Sequence, residues 1–287
     1  MQSFYFYANP YQEKSVEAAR ALSACVEARG GRVYTEPWLA QRGVGLPCAL
    51  ENIPEDTRAL VAFGGDGTLL RAAQSVIGKA IPLLGVHTGT VGFLMPGQAE
   101  TPEETAALLT GREYPLEQFP MLRVLHEEHN YWALNDLSLT RGEHPGVIEI
   151  IAMADGEEAF CAHGDGVVVS TPLGATAYGL SAGGPIVRPD APCVLLTPLC
   201  ARELLLRPVI LPLTAKIILL AHGRERRRLQ LAIDGQTLIP VTKECRIEIS
   251  LARETLLLIR PDGPRFFDTL RAKQAVWNRQ DHQYIQE

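Results

Sequence analysis

Gly64-Gly65-Asp66-Gly67-Thr68 decides the reading of this chain, because of what stands on either side of it. Arg58-Ala59-Leu60-Val61-Ala62-Phe63 leads in as a short apolar strand, and Leu69 to about Ile77 leads out as a helix. In a strand, glycine turn and helix, the N–H groups at the helix start favour phosphate, and the glycines let a ligand come close. A turn that only needs positive φ angles has no use for a carboxylate between two glycines followed by Thr. This is neither a Walker loop nor Gly-x-Gly-x-x-Gly, since the Lys and the spacing are both absent. A carboxylate beside a phosphate cradle suggests phosphoryl transfer, with Asp66 accepting a hydroxyl proton or helping to hold a metal.

Outward from the turn, Ser3 to Ala8 reads as a strand, and Val16, Ala19, Leu22, Cys25 and Val26 recur at helical spacing. Arg32 to Thr35 and Ile81 to Val86 add two more strands, so alternation predicts a parallel sheet in roughly the first 110 residues. Near Pro115 the pattern changes to short β-rich runs: Met121 to Leu125, Tyr131 to Leu139, Val147 to Met153, Gly166 to Ser170, Ile217 to Ala221, Leu229 to Ile233, Arg246 to Ser250 and Leu256 to Ile259. These predict an antiparallel second domain. The expected class is α/β plus all-β, with an α/β domain over 1–114, a β-rich domain over 115–261, and an amphipathic stretch from Phe266 to Trp277, within 262–287, packing back on the first.

The chain has 287 residues, 46% of them apolar and 21% charged, which excludes a disordered or fibrous protein. A formal charge of −6 argues against gripping nucleic acid. The six cysteines contain no C-x-x-C pair, so they read as reduced and mostly core rather than as a metal site or a disulfide framework. Met1 to Pro10 does not look like a signal peptide, and Pro212 and Lys216 break the run from Pro208 to Ala221, so the cytoplasm is the expected location and no membrane partner is expected.

A second segment, Asp165 to Pro185, has a short apolar strand feeding about fifteen small, hydroxylated and glycine residues around Tyr178. Such a composition packs poorly by itself but can line a ligand, and long irregular loops are uncommon unless functional. Asn135-Asp136 can read the donors and acceptors of a nucleoside, although as a dipeptide it also suits a strand end. Asp234-Gly235-Gln236 taken alone is a hairpin turn. His126-Glu-Glu-His129 reads as a charged hairpin tip, Arg224 to Arg228 as an exposed turn, and Met95, Met121 and Trp132 as core.

Gly64 to Ala73, Gly85 to Leu94, Asn135-Asp136, Asp165 to Pro185, Thr197 to Cys200, Arg207 to Pro212 and Asp234 to Gln236 together resemble the successive motifs of NAD kinases, in the family's order. The resemblance implies a Rossmann-like first domain, a β-sandwich-like second domain, and phosphorylation of the adenosine 2′-hydroxyl of NAD by ATP or polyphosphate. It implies a divalent cation, Mg²⁺, on the donor phosphates rather than on a protein site, and a homodimer or homotetramer. Asp66 would be the proton acceptor, with Gly64, Gly65, Gly67 and Thr68 forming the phosphate loop. Asn135 and Asp136 would meet the nucleoside of NAD, Asp165 the nicotinamide half, and Thr176, Ala177, Tyr178 and Ser181 an adenosine. Gly67, Arg71, His163 and Gln236 would also border substrate.

The chain departs from the family's pattern at Asp136, where Glu is usual, at Leu173 and Ala175, where Thr and Ser are usual, and at Gly179, where a larger or polar residue stands. Two rivals remain at this stage: a lipid kinase sharing the glycine turn, and a dinucleotide-binding sensor without turnover.

Overall fold

In the computed structural model, which describes residues 2–89, 92–143, 146–222, 229–241, 244–261 and 266–283, the chain divides into two compact units. They are Met1–Gln118 with Leu256–Glu287, and Phe119–Thr255. Thr90, Val91, the Arg224 to Arg228 turn and the Trp277 side chain lie outside the described residues.

The first unit is built on parallel strands in the order Leu46–Pro47, Gly31–Thr35, Gln2–Ala8, Thr57–Gly64 and Leu83–His87. Phe4 to Ala8 is buried residue after residue, as a strand covered on both faces must be, which explains its unbroken apolar and aromatic run. The chain winds outward from Gln2–Ala8, then returns to its other side with Thr57–Gly64. Where the order reverses, the ends of these two strands lie side by side, tied by the Asn9 N–H to the Phe63 carbonyl at 3.1 Å. In open parallel sheets, ligands bind at such a reversal, beyond the carboxyl ends of the strands. The Gly64–Thr68 turn stands there.

Gly65 takes extended angles, φ −120° and ψ −177°, and caps a helix over Asp66–Gln74, three residues earlier than the apolar spacing indicated. Glu13–Ala28 buries Val16, Ala19, Leu22 and Val26 of the expected stripe and leaves Cys25 half-buried. At Gly85 a Cβ would lie 2.6 Å from the Leu94 carbonyl oxygen and 2.5 Å from the Met95 sulfur. Only glycine therefore lets the chain before Met95 lie flat on the strand Leu83–His87.

The second unit holds a six-stranded antiparallel sheet, ordered Val209–Pro212, Cys193–Leu199, Gly166–Ser170, Asp136–Thr140, Leu229–Ile233 and Thr237–Val241. A second antiparallel layer contains Glu157–Gly164, Ile148–Ala154 and Ile217–His222, followed by the first half of Glu244–Ile259. Leu137, Leu139, Val167, Val169, Leu196 and Leu231 face Ile150, Leu219 and Ile247 in one core, so the unit is sandwich-like. Strand alternation then sends Asp136, Ser138, Ser170 and Thr197 to the opposite face, where they are nevertheless buried.

Four expectations need correcting. Tyr131 to Leu139 is two strands, His129–Ala133 and Asp136–Thr140, because the Asp234 carboxylate accepts the N–H groups of Leu134, Asn135 and Asp136 at 3.0, 2.8 and 3.2 Å and breaks the run between them. Arg246 to Ser250 and Leu256 to Ile259 belong to one strand, Glu244–Ile259, since no Gly or Pro interrupts the charged stretch between them. Met95 and Met121 are core, but Trp132 is half-buried, its indole N–H donating to Glu254 at 3.1 Å. All six cysteines are free, yet only Cys245 is buried, and burial pushes its thiol up to about 11. Replacing Gly85 with Ala is expected to destabilise the chain by about 1–3 kcal/mol through overpacking. Urea unfolding should show a lower midpoint, and an unchanged midpoint would show that the chain before Met95 yields freely.

Candidate functional site

Asp66 opens its helix and is held from three sides. Its Oδ2 accepts the Phe93 N–H at 3.1 Å, its Oδ1 accepts the Leu94 N–H at 3.0 Å, and the Lys273 ammonium donates to Oδ2 at 2.7 Å. The Asp66 and Lys273 side chains are each 22% exposed, so the pair is mostly shielded and its geometry is well defined. Gly92 is needed in this nest, because a Cβ there would collide with the carboxylate.

The glycines of the turn have different causes. Gly64 has a φ of 153°, and a Cβ on it would collide with the Thr68 side chain, so it is required by the fold. Gly65 and Gly67 lie outside the positive-φ region, and a Cβ on either would meet open space. Among the described residues neither backbone strain nor packing accounts for them, whereas close approach of a ligand from outside would. A cavity of about 350 Å³ opens beside Gly65, lined by Gln12, Glu13, Lys14, Gly64, Gly65, Thr88 and Gly89, with the Glu13 carboxylate paired to Arg42 at 2.6 Å. It carries one ammonium and a helix start, features that favour an anion.

In the second unit the segment after Ser170 covers the polar face of the six-stranded sheet. Thr171 accepts a bond from Gly174 N–H at 3.1 Å and donates to the Leu134 carbonyl at 2.7 Å, and its own N–H reaches the Asn135 carbonyl at 2.8 Å. A Cβ at Gly174 would strike that same Asn135 carbonyl, and one at Gly179 would lie 2.7 Å from Ser170 Oγ. The small residues here permit contact between backbone and sheet. Leu173 and Ala175 are buried at 5% and 1% exposure, so both pack inward.

Asp136 is 6% exposed. Burial, and then the neighbouring Asp234 carboxylate, push it up to about 7, while the Tyr178 N–H pulls it back. The Asn135 Oδ1 is buried and has no hydrogen-bond partner among the described residues. An acceptor left unpaired at such cost marks a place where a donor is wanted. Thr176 and Ala177 are half-buried, while Tyr178 and Ser181 are exposed, in the short helical turns that follow.

Other expected residues are engaged by side chains. Asp165 accepts from Arg141 at 2.8 Å, and the His163 ring lies between Glu203 at 2.9 Å and Glu149 at 3.0 Å. The His163 N–H and ring, with Arg202, hold Glu203 down to about 2. Arg71 is exposed, and its charge partly offsets the rise that burial imposes on the Tyr7 hydroxyl. Gln236 is half-buried in the hairpin that Asp234 and Gly235 turn, at φ 50° and 65°.

Two residues escaped the sequence reading. Asp234, read as a turn, also clamps the Leu134 to Asp136 backbone. Lys273, read as part of a packing helix, reaches Asp66. Its signal was a charge on an apolar stripe, seven residues after Phe266 and three after the buried Leu270.

Models of the ATP-NAD kinase N-terminal and C-terminal domains match residues 12–114 and 134–261. The chain is 33% identical over 286 residues to an NAD kinase of Lachnoclostridium phytofermentans, covering 95% of this chain and 99% of that one. It is 35% identical over 258 residues to an NAD kinase of Solibacter usitatus, covering 82% and 88%. Among solved structures, a yeast NADH kinase complexed with NADH matches at a TM-score of 0.83 and 24% identity, over 94% of this chain and 86% of that one. An NAD kinase from Archaeoglobus fulgidus in complex with ATP matches at 0.75 and 24%, over 95% and 99%. Identities that low establish the fold. Fold and relatives together define a phosphotransferase. More narrowly, the chain belongs to the NAD kinase family.

The Asp136 carboxyl carries a pH signature. Its folded value lies above its ordinary value of 3.8, so the stability tied to its protonation is complete below about pH 4 and is lost as pH rises through about 7. Relative to Asp136→Asn, the native chain should lose on the order of a few kcal/mol of unfolding free energy across that window. Parallel pH–stability curves for the two proteins would contradict this.

Proposed function

We propose that this chain transfers the terminal phosphoryl group of ATP, entering as its Mg²⁺ complex, to the adenosine 2′-hydroxyl of NAD, giving NADP and ADP. The observation that carries the reading is the Asp66 carboxylate, fixed at the end of the parallel strands beside glycines that leave open space. The 2′-oxygen bonds to the γ-phosphorus, and the bond to the β,γ-bridging oxygen breaks with its electron pair leaving on ADP. Asp66 takes the hydroxyl proton. The transition state of such transfers is loose, so positioning and charge neutralisation matter more than early deprotonation, and one base is enough.

In this reading Gly64, Gly65, Gly67 and Thr68 border the phosphates, and Asn135 offers its unpaired acceptor and Asp136 its carboxyl to the nucleoside. Asp165 serves the nicotinamide half, and Thr176, Ala177, Tyr178 and Ser181 serve an adenosine. Arg71, His163 and Gln236 stand at the substrate's margin. The Asp66 carboxylate already holds an ammonium and two N–H groups, which fits a cation carried by the donor's phosphates rather than by a protein cage. Polyphosphate offers the same phosphoanhydride and is the second donor to try. We place the chain in the cytoplasm as a homodimer or homotetramer. The exposed Leu204, Leu205 and Ile210, at 87%, 90% and 56%, support association, and no helix among the described residues is long and apolar enough to cross a membrane.

The test is to assay NADP after incubating the purified chain with NAD, ATP and Mg²⁺, alongside Asp66→Asn. The variant should lose about 10²- to 10⁴-fold in turnover while NAD affinity stays within a few-fold. Unchanged turnover in the variant removes Asp66 from this role. NAD bound without any NADP formed by the native chain would make the protein a sensor, and neither binding nor product would point to the lipid-kinase rival.

A further inference from the structure

We infer that Lys273 is a positioning residue for this phosphoryl transfer, acting through Asp66. The inference rests on the reading of Asp66 as proton acceptor. Each carboxylate oxygen has two good acceptor directions. Oδ2 spends both, on the Phe93 N–H at 3.1 Å and on the Lys273 ammonium at 2.7 Å. Oδ1 spends one on the Leu94 N–H at 3.0 Å. Among the described residues one direction is left, on Oδ1, and it is the place for the substrate hydroxyl. Without Lys273 the carboxylate would have two equivalent vacancies, one on each oxygen, and the hydroxyl could be drawn to either.

The ammonium is itself well fixed. It lies 4.4 Å from the centroid of the Phe93 ring, a contact that holds a cation over an aromatic face. The Phe93 ring packs on Phe266 at 5.8 Å, and the Phe93 carbonyl accepts from Arg260 at 3.1 Å. Phe266, the buried Leu270 and Lys273 lie at i, i+4 and i+7 on one stripe of the helix Phe266–Gln283. The closing helix thus has a second task besides packing. It delivers one charge to the far oxygen of the carboxylate that faces substrate.

The experiment compares the native chain with Lys273→Met, Lys273→Arg, Asp66→Asn and the double variant. Lys273→Met should lower kcat by about ten- to a hundredfold, the scale of a misplaced catalytic group, with KM for NAD and for ATP within about threefold. Lys273→Arg, which restores a cation, should recover much of the loss. In the Asp66→Asn background Lys273→Met should cost nothing more, because its only route to the reaction has gone. Should Asp66→Asn turnover fall below detection, the split between kcat and KM decides, and should Lys273→Met fail to fold, Lys273→Gln takes its place. An unchanged kcat, a loss appearing in KM for ATP, or a further loss in the double variant overturns the role of Lys273 while leaving Asp66 in place. Full turnover in Asp66→Asn alone overturns the underlying reading instead.

Discussion

Everything at the candidate site depends on one carboxylate whose acceptor directions are almost all taken. Asp66 binds two N–H groups from the chain at Phe93 and Leu94 and the ammonium of Lys273. Hydrogen bonds to a charged group are worth about 1.5–3 kcal/mol each, enough to fix a side chain rather than merely favour it. The cost falls on the backbone around it: Gly85 and Gly92 must be glycine so that the neighbouring chain can come close enough to donate. A helix start, the bend at Phe93 and Leu94 and the closing helix are thereby tied to a single pair of oxygens.

The second unit uses the same device for a different end. Asp234 gives its two oxygens to the N–H groups of Leu134, Asn135 and Asp136, while its own N–H reaches the Asp136 carbonyl at 2.8 Å. That clamp leaves the Asn135 side-chain oxygen buried and unpaired and sets Asp136 in a place where its charge is expensive. The backbone N–H of Tyr178 in the covering segment offsets part of the rise this imposes on the Asp136 carboxyl. Polar groups held in such poor comfort are stable only because the surrounding sheet leaves them no alternative.

How much of this could be read from residues alone follows from how local each cause is. The turn at Gly64 was legible because an apolar strand, glycines and a helix stand next to one another. Which of its glycines the fold itself requires was not legible, since that depends on where Thr68 and open space lie. Asp234 was seen as a turn residue, which it is, but its partners are about a hundred positions away. Lys273 was hidden for the same reason, and only its intrusion on the Phe266–Leu270 stripe hinted at a partner. The break after Ala133 is not legible in the local run of residues because a distant carboxylate makes it, whereas the unbroken strand to Ile259 follows from the lack of Gly or Pro between Ser250 and Leu256.

The most direct test is a structure of the chain with NAD and a non-hydrolysable ATP analogue bound. The account requires the adenosine 2′-oxygen within about 3 Å of Asp66 Oδ1, with Lys273 still on Oδ2. A 2′-hydroxyl bonded to some other group, with the Asp66 carboxylate turned away from the ribose, contradicts it.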